Sequence, residues 1–383
     1  MTKRIEGILE VIKSYDYKAA NFRLPLYCIL LSVLGILAIN SAAGASMMRN
    51  QILGLAAGVV IMICFALIRY EFICRYYWML YFFNLLILLA VKVLGTYHSG
   101  AKRWISIAGI QVQPSELSKI LLVIFLSAFI YHNKQSLGSF KFFFICLFLI
   151  AVPVGLIIMQ PDLSTSIVIL VSLCVIIFVG EFKTNILKPV ILILIPLLGI
   201  FITLVLVLPE DSNIIPEYQY RRIIGFYSSD NEDTEDIRYQ QENSVTAIAG
   251  GSLTGQGLNN NSITSVKNAE FISEPQTDFI FTIIGEELGF FGSLITICFL
   301  GLIVLECFRI GMRARETLGK CIAIGYGTII GIQAFINLGV VTMILPNTGL
   351  TLPFISYGSS SLMSLYMGIG IVLNIGMKKK INL

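Results

Sequence analysis

The chain has 383 residues, 56% of them hydrophobic and 13% charged, with a mean hydropathy of +0.83, whereas soluble globular domains carry roughly 25% charged residues. One water-soluble core cannot hide that much apolar surface, so a soluble enzyme or binding module is excluded. The net charge of +4 is divided among short basic connections instead of forming one stripe, which argues against a nucleic-acid partner.

Uncharged runs close to the roughly 20 residues that cross about 30 Å of hydrocarbon recur from end to end. In chain order they fall at about 24–40, 51–68, 76–94, 115–131, 142–159, 166–180, 189–208, 279–305, 321–342 and 359–376. The expected fold is an all-α polytopic membrane protein of about ten transmembrane helices, one membrane domain over residues 1–383. The first run ends in Ser41-Ala42-Ala43-Gly44-Ala45, faintly like a processing site, but its leader is long and it reads as a retained span.

Orientation follows from the basic residues. Arg69, Arg75, Lys134, Lys141, Lys183, Lys188, Arg309, Arg313, Arg315, Lys320 and Lys378 fall in one set of connections, together with the basic N-terminal segment. The opposite set keeps fewer: Arg49, Lys102, Arg103, Arg221, Arg222, Arg238 and Lys267. The bias places residues 1–23 and the tail 377–383 in the cytoplasm. Eight cysteines lie in or beside apolar runs, without a CxxC pair and with only His98 and His132 as imidazoles, so neither disulfides nor a zinc site are expected.

Three connections on the extracytoplasmic side break the pattern of tight turns: 95–114, 209–278 and 343–358. The second, between the seventh and eighth spans, is too long for a simple link. Its acidic stretch 230–236 reads as a mobile, solvated arm.

The candidate chemical residues sit near these connections. Asp278 stands where the long loop enters the eighth span; it suits a helix cap, and equally a general base whose proton affinity partial desolvation would raise. Glu286 and Glu287 follow two turns deeper, where a carboxylate must be paired or face a polar cavity; a packing role leads there. Glu116 and Lys119 share one helical face and either neutralise each other or meet a phosphate from the headgroup layer. Asp162 reads as a turn or cap for the sixth span. Arg221 and Arg222 suit a headgroup-facing surface. The glycines of 250–257 resemble a phosphate cradle in composition only, and tight turns explain them.

Taken together in order, these stretches resemble the SEDS family (shape, elongation, division and sporulation), the RodA, FtsW and SpoVE proteins. The resemblance runs through Ala101-Lys102-Arg103-Trp104-Ile105, Gln113-Pro114-Ser115-Glu116 with Lys119, Gln160-Pro161-Asp162-Leu163, Arg221-Arg222 and the glycine-rich stretch. It continues in Thr277-Asp278-Phe279-Ile280-Phe281 and Gly285-Glu286-Glu287-Leu288-Gly289, and closes with Asn337 and Leu352-Pro353-Phe354-Ile355-Ser356-Tyr357-Gly358. Gln276, Ser164 and Ser359 depart from the family pattern, in which histidine, glycine and glycine are usual.

The resemblance implies a peptidoglycan glycosyltransferase in the bacterial cell membrane, acting on its extracytoplasmic side. It would polymerise lipid II onto a lipid-linked glycan chain by β-1,4 linkage, with release of undecaprenyl pyrophosphate, in elongation, division or sporulation. Asp278 would be catalytic. Lys119, Glu116, Arg103, Lys102, Trp104, Asp162, Arg221 and Arg222 would bind substrate, with Arg103 and Lys119 first among the pyrophosphate contacts; Glu286, Glu287, Gln113, Ser356 and Tyr357 would line or brace the cavity. A divalent cation, Mg2+ or Mn2+, could share the neutralisation of pyrophosphate, although no dedicated metal site is visible. The implied partner is a class B penicillin-binding protein, a transpeptidase. The rival readings are a flippase for lipid-linked sugar and a non-catalytic scaffold of the cell-wall machinery.

Overall fold

The computed structural model describes residues 20–98, 101–107, 110–186, 188–189, 222, 226, 235–259, 265, 272 and 274–378. Its helices are α1 (Arg23–Leu67), α2 (Tyr70–Arg75), α3 (Tyr77–Leu94), α4 (Pro114–His132), α5 (Phe140–Ile158), α6 (Leu163–Val179), α7 (Glu235–Gly250), α8 (Ile280–Arg313), α9 (Thr317–Val341) and α10 (Ser359–Met377). Seven are long and apolar enough to cross a membrane, and α6 is a shorter apolar helix. The expected seventh span, 189–208, lies outside the described residues apart from residue 189, as do the N-terminal segment before residue 20, the end of the tail and most of the long loop.

The first two expected spans join end to end in α1, which is broken at Gly44 (φ 80°, ψ 179°). Its second arm, 45–67, runs beside α10 in the same direction: Gly54 meets Ser359, Gly58 meets Tyr366, and Gly370 meets Met62. Small residues let the two backbones close, which substitutes for a hydrophobic drive that lipid cannot provide. The pair is fastened at its end by Asn374, whose Nδ2 donates to Ala66 O at 2.7 Å and whose Oδ1 accepts from Tyr70 N at 3.0 Å.

Helices α4, α9 and α10 are buried along most of their length, while α1, α3, α5 and α8 turn Leu, Ile, Val and Phe outward. Pro153 inside α5 has no N–H to give Leu149 O, its partner four residues back, and the Tyr81 phenol of α3 donates to that carbonyl at 2.9 Å. The tyrosine thus supplies the donor that the proline lacks.

Two features depart from the expected plain spans and loops. Residues 95–113 carry a three-stranded antiparallel sheet, β1 (Thr96–His98), β2 (Ala101–Ile107) and β3 (Ile110–Val112), in the order β1-β2-β3. The long loop contains α7, whose first turn takes in residues 235–236 of the expected mobile arm; the rest of that arm lies outside the described residues. Helix α8 also runs past the apolar stretch to Arg313, and Glu306 and Arg309 form an i,i+3 pair at 2.6 Å in the added turns.

The two ends of the bundle differ in chemistry. At one end Lys378 bridges Glu71 and Glu316, at 2.5 and 2.9 Å, and Thr317 donates to Glu181 at 3.4 Å; Arg69, Arg75, Lys134, Lys183, Arg309, Arg313 and Arg315 belong to this end. The sheet, the start of α6, residues 250–259 and 274–289, and the loop 343–358 gather at the other. Asp278 is at the second end.

Candidate active site

Helix α8 is two helices. Gly289 adopts φ 64° and ψ −157°, which separates a buried half-helix, 280–288, from the long piece 290–313. A break at membrane depth exposes backbone groups that need partners, and the glycine-rich stretch supplies them. Gln256 N and Gly257 N donate to Glu286 O and Glu287 O, both at 3.0 Å; Phe290 N and Phe291 N donate to Ser252 O and Leu253 O at 2.9 and 3.3 Å. A Cβ at Gly255 (φ 79°) would stand 2.1 Å from Glu287 O, and one at Gly251 would stand 1.9 Å from Gly285 O. Glycine is used here for close backbone approach, so the stretch that resembled a phosphate cradle is the clamp of a broken helix.

Helix α7 lies on the half-helix: the Ser244 and Thr282 hydroxyls meet, Ser244 Oγ donates to Val341 O at 2.8 Å, and Gln241 Nε2 donates to Val340 O at 2.8 Å. On the far side Ser41 of α1 donates to Glu287 Oε1. Glu286 and Glu287 are thus buried inside the helical packing.

Asp278 stands at the N-terminal tip of this half-helix, half-buried. It is not the helix cap: Phe279 occupies the N-cap position and no side chain caps the helix. Its carboxylate instead accepts from Thr277 Oγ1 at 3.0 Å. Burial pushes the carboxyl up, against the opposing pull of the Thr277 hydroxyl and the Arg222 guanidinium. Arg222 also packs against Gly349, where a Cβ would come within 2.9 Å of Nη1 and where φ is 68°. Two hydrogen bonds to backbone carbonyls hold the segment: Asn337 Nδ2 donates to Asp278 O at 2.7 Å, and Tyr357 N donates to Gln276 O at 2.9 Å.

The loop 343–358 connects this carboxylate to a second polar group. Asn337 Nδ2 also donates to Leu350 O at 2.7 Å, and one turn earlier on α9 Gln333 Nε2 donates to Thr351 O at 3.0 Å. Gln333 Oε1 accepts from Lys119 Nζ at 2.7 Å, Lys119 pairs with Glu116 Oε1 at 2.8 Å, and Glu116 Oε2 accepts from Ser361 Oγ at 2.8 Å. The pair is nearly sealed, with 2% and 6% side-chain exposure. Glu116 also reaches the floor of an apolar groove of about 190 Å³, bounded by Ile61 of α1, Val112 of β3, Leu117 of α4, and Met363 and Met367 of α10.

Asp162 is a cap and a fastener. Oδ1 accepts from Thr165 N at 3.3 Å, and Oδ2 accepts from Gln113 Nε2 at 3.1 Å and Ser115 Oγ at 3.0 Å, which locks the starts of α4 and α6 together. Ser164, one of the departures from the family pattern, donates to Thr348 O at 2.7 Å and so ties α6 to the loop beside Gly349. Ser356 accepts from Leu352 N at 2.7 Å and its carbonyl accepts from Gln51 Nε2 at 3.0 Å. Tyr357 Oη accepts from Asn50 at 3.5 Å.

Lys102, Arg103 and Trp104 lie on β2. Lys102 Nζ donates to Lys92 O at 2.8 Å, back toward the end of α3, and Trp104 O accepts from Thr96 Oγ1 at 3.2 Å. Arg221 lies outside the described residues. Gln333, Thr277 and Ser361 belong to the site and were not among the sequence candidates. The signal for Gln333 is legible afterwards: with Asn337 it makes an i,i+4 polar pair on an otherwise apolar helix, and intramembrane amides are placed for a reason. Among the described residues no group of three His, Cys, Asp or Glu side chains converges to hold a metal ion.

The profile of a family described as "Cell cycle protein", that of FtsW, RodA and SpoVE, matches residues 22–381. Stage V sporulation protein E of Bacillus subtilis is 37% identical over 294 residues, 76% of either chain. Peptidoglycan glycosyltransferase MrdB of Escherichia coli K12 is 32% identical over 363 residues, 93% of either chain. A chain from a solved peptidoglycan synthase complex that coordinates polymerization and crosslinking superposes with a TM-score of 0.74 at 25% identity, covering 95% of this chain and 98% of that one.

Proposed function

We propose, from the premise that this chain belongs to the FtsW, RodA and SpoVE family, that it is a peptidoglycan glycosyltransferase with Asp278 as its general base. It is a multi-pass membrane protein. Counting the two arms of α1 separately, and including the 189–208 run, gives the ten-span reading with both termini in the cytoplasm. The segregation of basic connections to the end opposite Asp278 supports an extracytoplasmic site.

The reaction joins the 4-hydroxyl of one lipid-linked disaccharide to the anomeric carbon of another. The hydroxyl oxygen forms a bond to C1 as the C1–oxygen bond to pyrophosphate breaks, and the hydroxyl proton passes to the Asp278 carboxylate. One displacement inverts an α-linked donor into a β-1,4 product and releases undecaprenyl pyrophosphate. A base needs a proton affinity closer to the working pH than an ordinary aspartate has, and the desolvated position of Asp278 moves it that way. The leaving group needs positive charge. Arg222, which already acts on Asp278 and lies against Gly349, leads the candidates; Arg221, Arg103 and Lys102 complete the set, and Trp104 would pack against the sugars. Lys119, engaged by Glu116 and Gln333, is better read as a brace. A divalent cation such as Mg2+ or Mn2+ would add positive charge beside the leaving pyrophosphate.

The apolar groove beside Glu116 suits a polyprenyl chain, since it opens between helices while the sugars stay in the polar loops. A class B penicillin-binding protein is the proposed partner, by analogy with the synthase complex.

The observation that carries the reading is the Asp278 carboxylate, held half-buried at the tip of a half-helix under the influence of a guanidinium. Purified protein should polymerise lipid II in detergent, and a folded Asp278→Asn variant should not. Transport of lipid-linked sugar across sealed vesicles without polymer would indicate a flippase, and a depleted strain rescued by Asp278→Asn would indicate a scaffold.

A further inference from the structure

The first arm of α1, 23–43, touches α8 on both sides of its break. Toward the basic end, Asn21, just before the arm, donates from Nδ2 to Glu306 Oε2 at 2.6 Å, and the Tyr27 and Phe299 rings lie 5.6 Å apart. Toward the other end, Ser41 donates to Glu287 Oε1. Glu306 and Phe299 belong to the long piece of α8, whereas Glu287 belongs to the half-helix that ends at Asp278.

With Gly289 out of helical conformation, the intrahelical ladder no longer carries orientation from one piece to the other. Neighbours must set it. The 250–257 clamp bonds both pieces at the break, and helix α7 ties the half-helix to the end of α9 through Gln241 and Ser244, so these hold it on the outer side. The α1 arm spans the bundle and is anchored to both pieces. Glu287 is 1% exposed, and a carboxylate at that depth demands a donor, so the Ser41 contact fixes the lower end of the half-helix to a rigid neighbour.

We infer that the first arm of α1 splints the broken helix, and that Ser41 and Glu287 are positioning residues that set where Asp278 stands against the acceptor sugar. The inference rests on Asp278 being the base. Nine residues at 1.5 Å rise separate Glu287 from Asp278, about 13 Å, so Ser41 cannot touch the reacting atoms. Over that lever a tilt of about 5° moves the carboxylate by about 1 Å, and displacements of that size cost up to about 100-fold in rate.

The test uses the purified full chain with lipid II. Ser41→Ala should lower kcat about tenfold or more while KM stays within about twofold and the acid limb of the pH profile does not move. Ser41→Thr, which keeps the hydroxyl, should restore kcat. Amide hydrogen exchange of 280–288 should quicken in Ser41→Ala while that of 290–313 stays as in the wild type. Wild-type kcat in Ser41→Ala, failure of Ser41→Thr to restore it, or exchange that rises equally in both pieces would each overturn the splint. Polymerisation that survives Asp278→Asn would sink the base assignment instead, and the exchange contrast would still report on the splint.

Discussion

Replacing Lys119 by methionine separates bracing from substrate contact. The change removes the cation 2.8 Å from Glu116 Oε1 and the donor 2.7 Å from Gln333 Oε1, and leaves Ser361 Oγ 2.8 Å from Glu116 Oε2. Removing one partner of a buried ion pair costs about 3–5 kcal/mol, because the other charge is stranded. The remaining Ser361 hydroxyl and the groove that reaches Glu116 put the value at the lower end, about 3 kcal/mol. With an unfolding entropy of about 2.1 cal/mol/K per residue, that corresponds to a fall in Tm of roughly 4 °C. The double variant Lys119→Met, Glu116→Gln removes the stranded charge and should recover most of the loss. Thermal denaturation in detergent measures both, and lipid II polymerisation well below the lower midpoint reads the activity. If Lys119→Met keeps the wild-type midpoint while KM for lipid II rises steeply in both variants, Lys119 binds substrate and the brace is wrong.

The acid limb of the rate profile should lie above the ordinary carboxylate range, because burial raises Asp278 and the base must be ionised. Thr277→Val and Arg222→Met each remove a group that holds the carboxyl down, so each should move that limb to higher pH in initial-rate measurements. The stability that Asp278 contributes has the matching sign: it is present below the ordinary aspartate value and lost as pH rises through the raised one. Gly255→Ala should abolish polymerisation and lower Tm, since its Cβ would collide with Glu287 O, whereas Gly257→Ala, with φ 92° and open space, should cost only about 1–2 kcal/mol of backbone strain. Burial works against the Glu316 carboxylate, but Lys378 holds it below the usual glutamate range. Its contribution is therefore present above that range and lost as pH falls through the lowered value, and Lys378→Met should flatten that loss in Tm measured against pH.

Long apolar runs made the described spans legible, because span length depends on bilayer thickness and not on tertiary contacts. What escaped was where the chain departs from a plain span. The run through 41–50 gave no sign that two helical arms meet end to end at Gly44. The sheet on 95–113 had its cues in Ser99-Gly100 and Ala108-Gly109 between alternating residues, a weaker signal than the long apolar runs on either side. At the site, Asp278 was found by its place at a loop entering a span. Asn337 and Arg222, which act on Asp278, and Tyr357, which holds Gln276 two residues before it, come from elements far along the chain, and only folding brings them together. The cap reading for Asp278 failed because Phe279 intervenes before Ile280, a boundary one residue beyond what propensity can locate. For Asp162 the cap reading held, because Thr165 sits three residues on.

The broken α8 answers a problem that an unbroken span leaves open. A general base for a lipid-linked sugar must stand near the headgroup layer, partly stripped of water yet still able to ionise, and it must not drift. A carboxylate on a loop would be solvated and mobile; one on a continuous span would move only with the whole helix and would sit at whatever angle the bundle packing sets. A half-helix decouples that angle from the span, at the cost of exposed backbone groups at the break. The glycines of 250–257 meet those groups because no other residue lets two backbones approach to the distances seen at Gly251 and Gly255. The loop that supplies the clamp also supplies α7, which covers the half-helix, and Arg222, which acts on the base. One long connection thus closes the break, covers the half-helix and brings a guanidinium to Asp278.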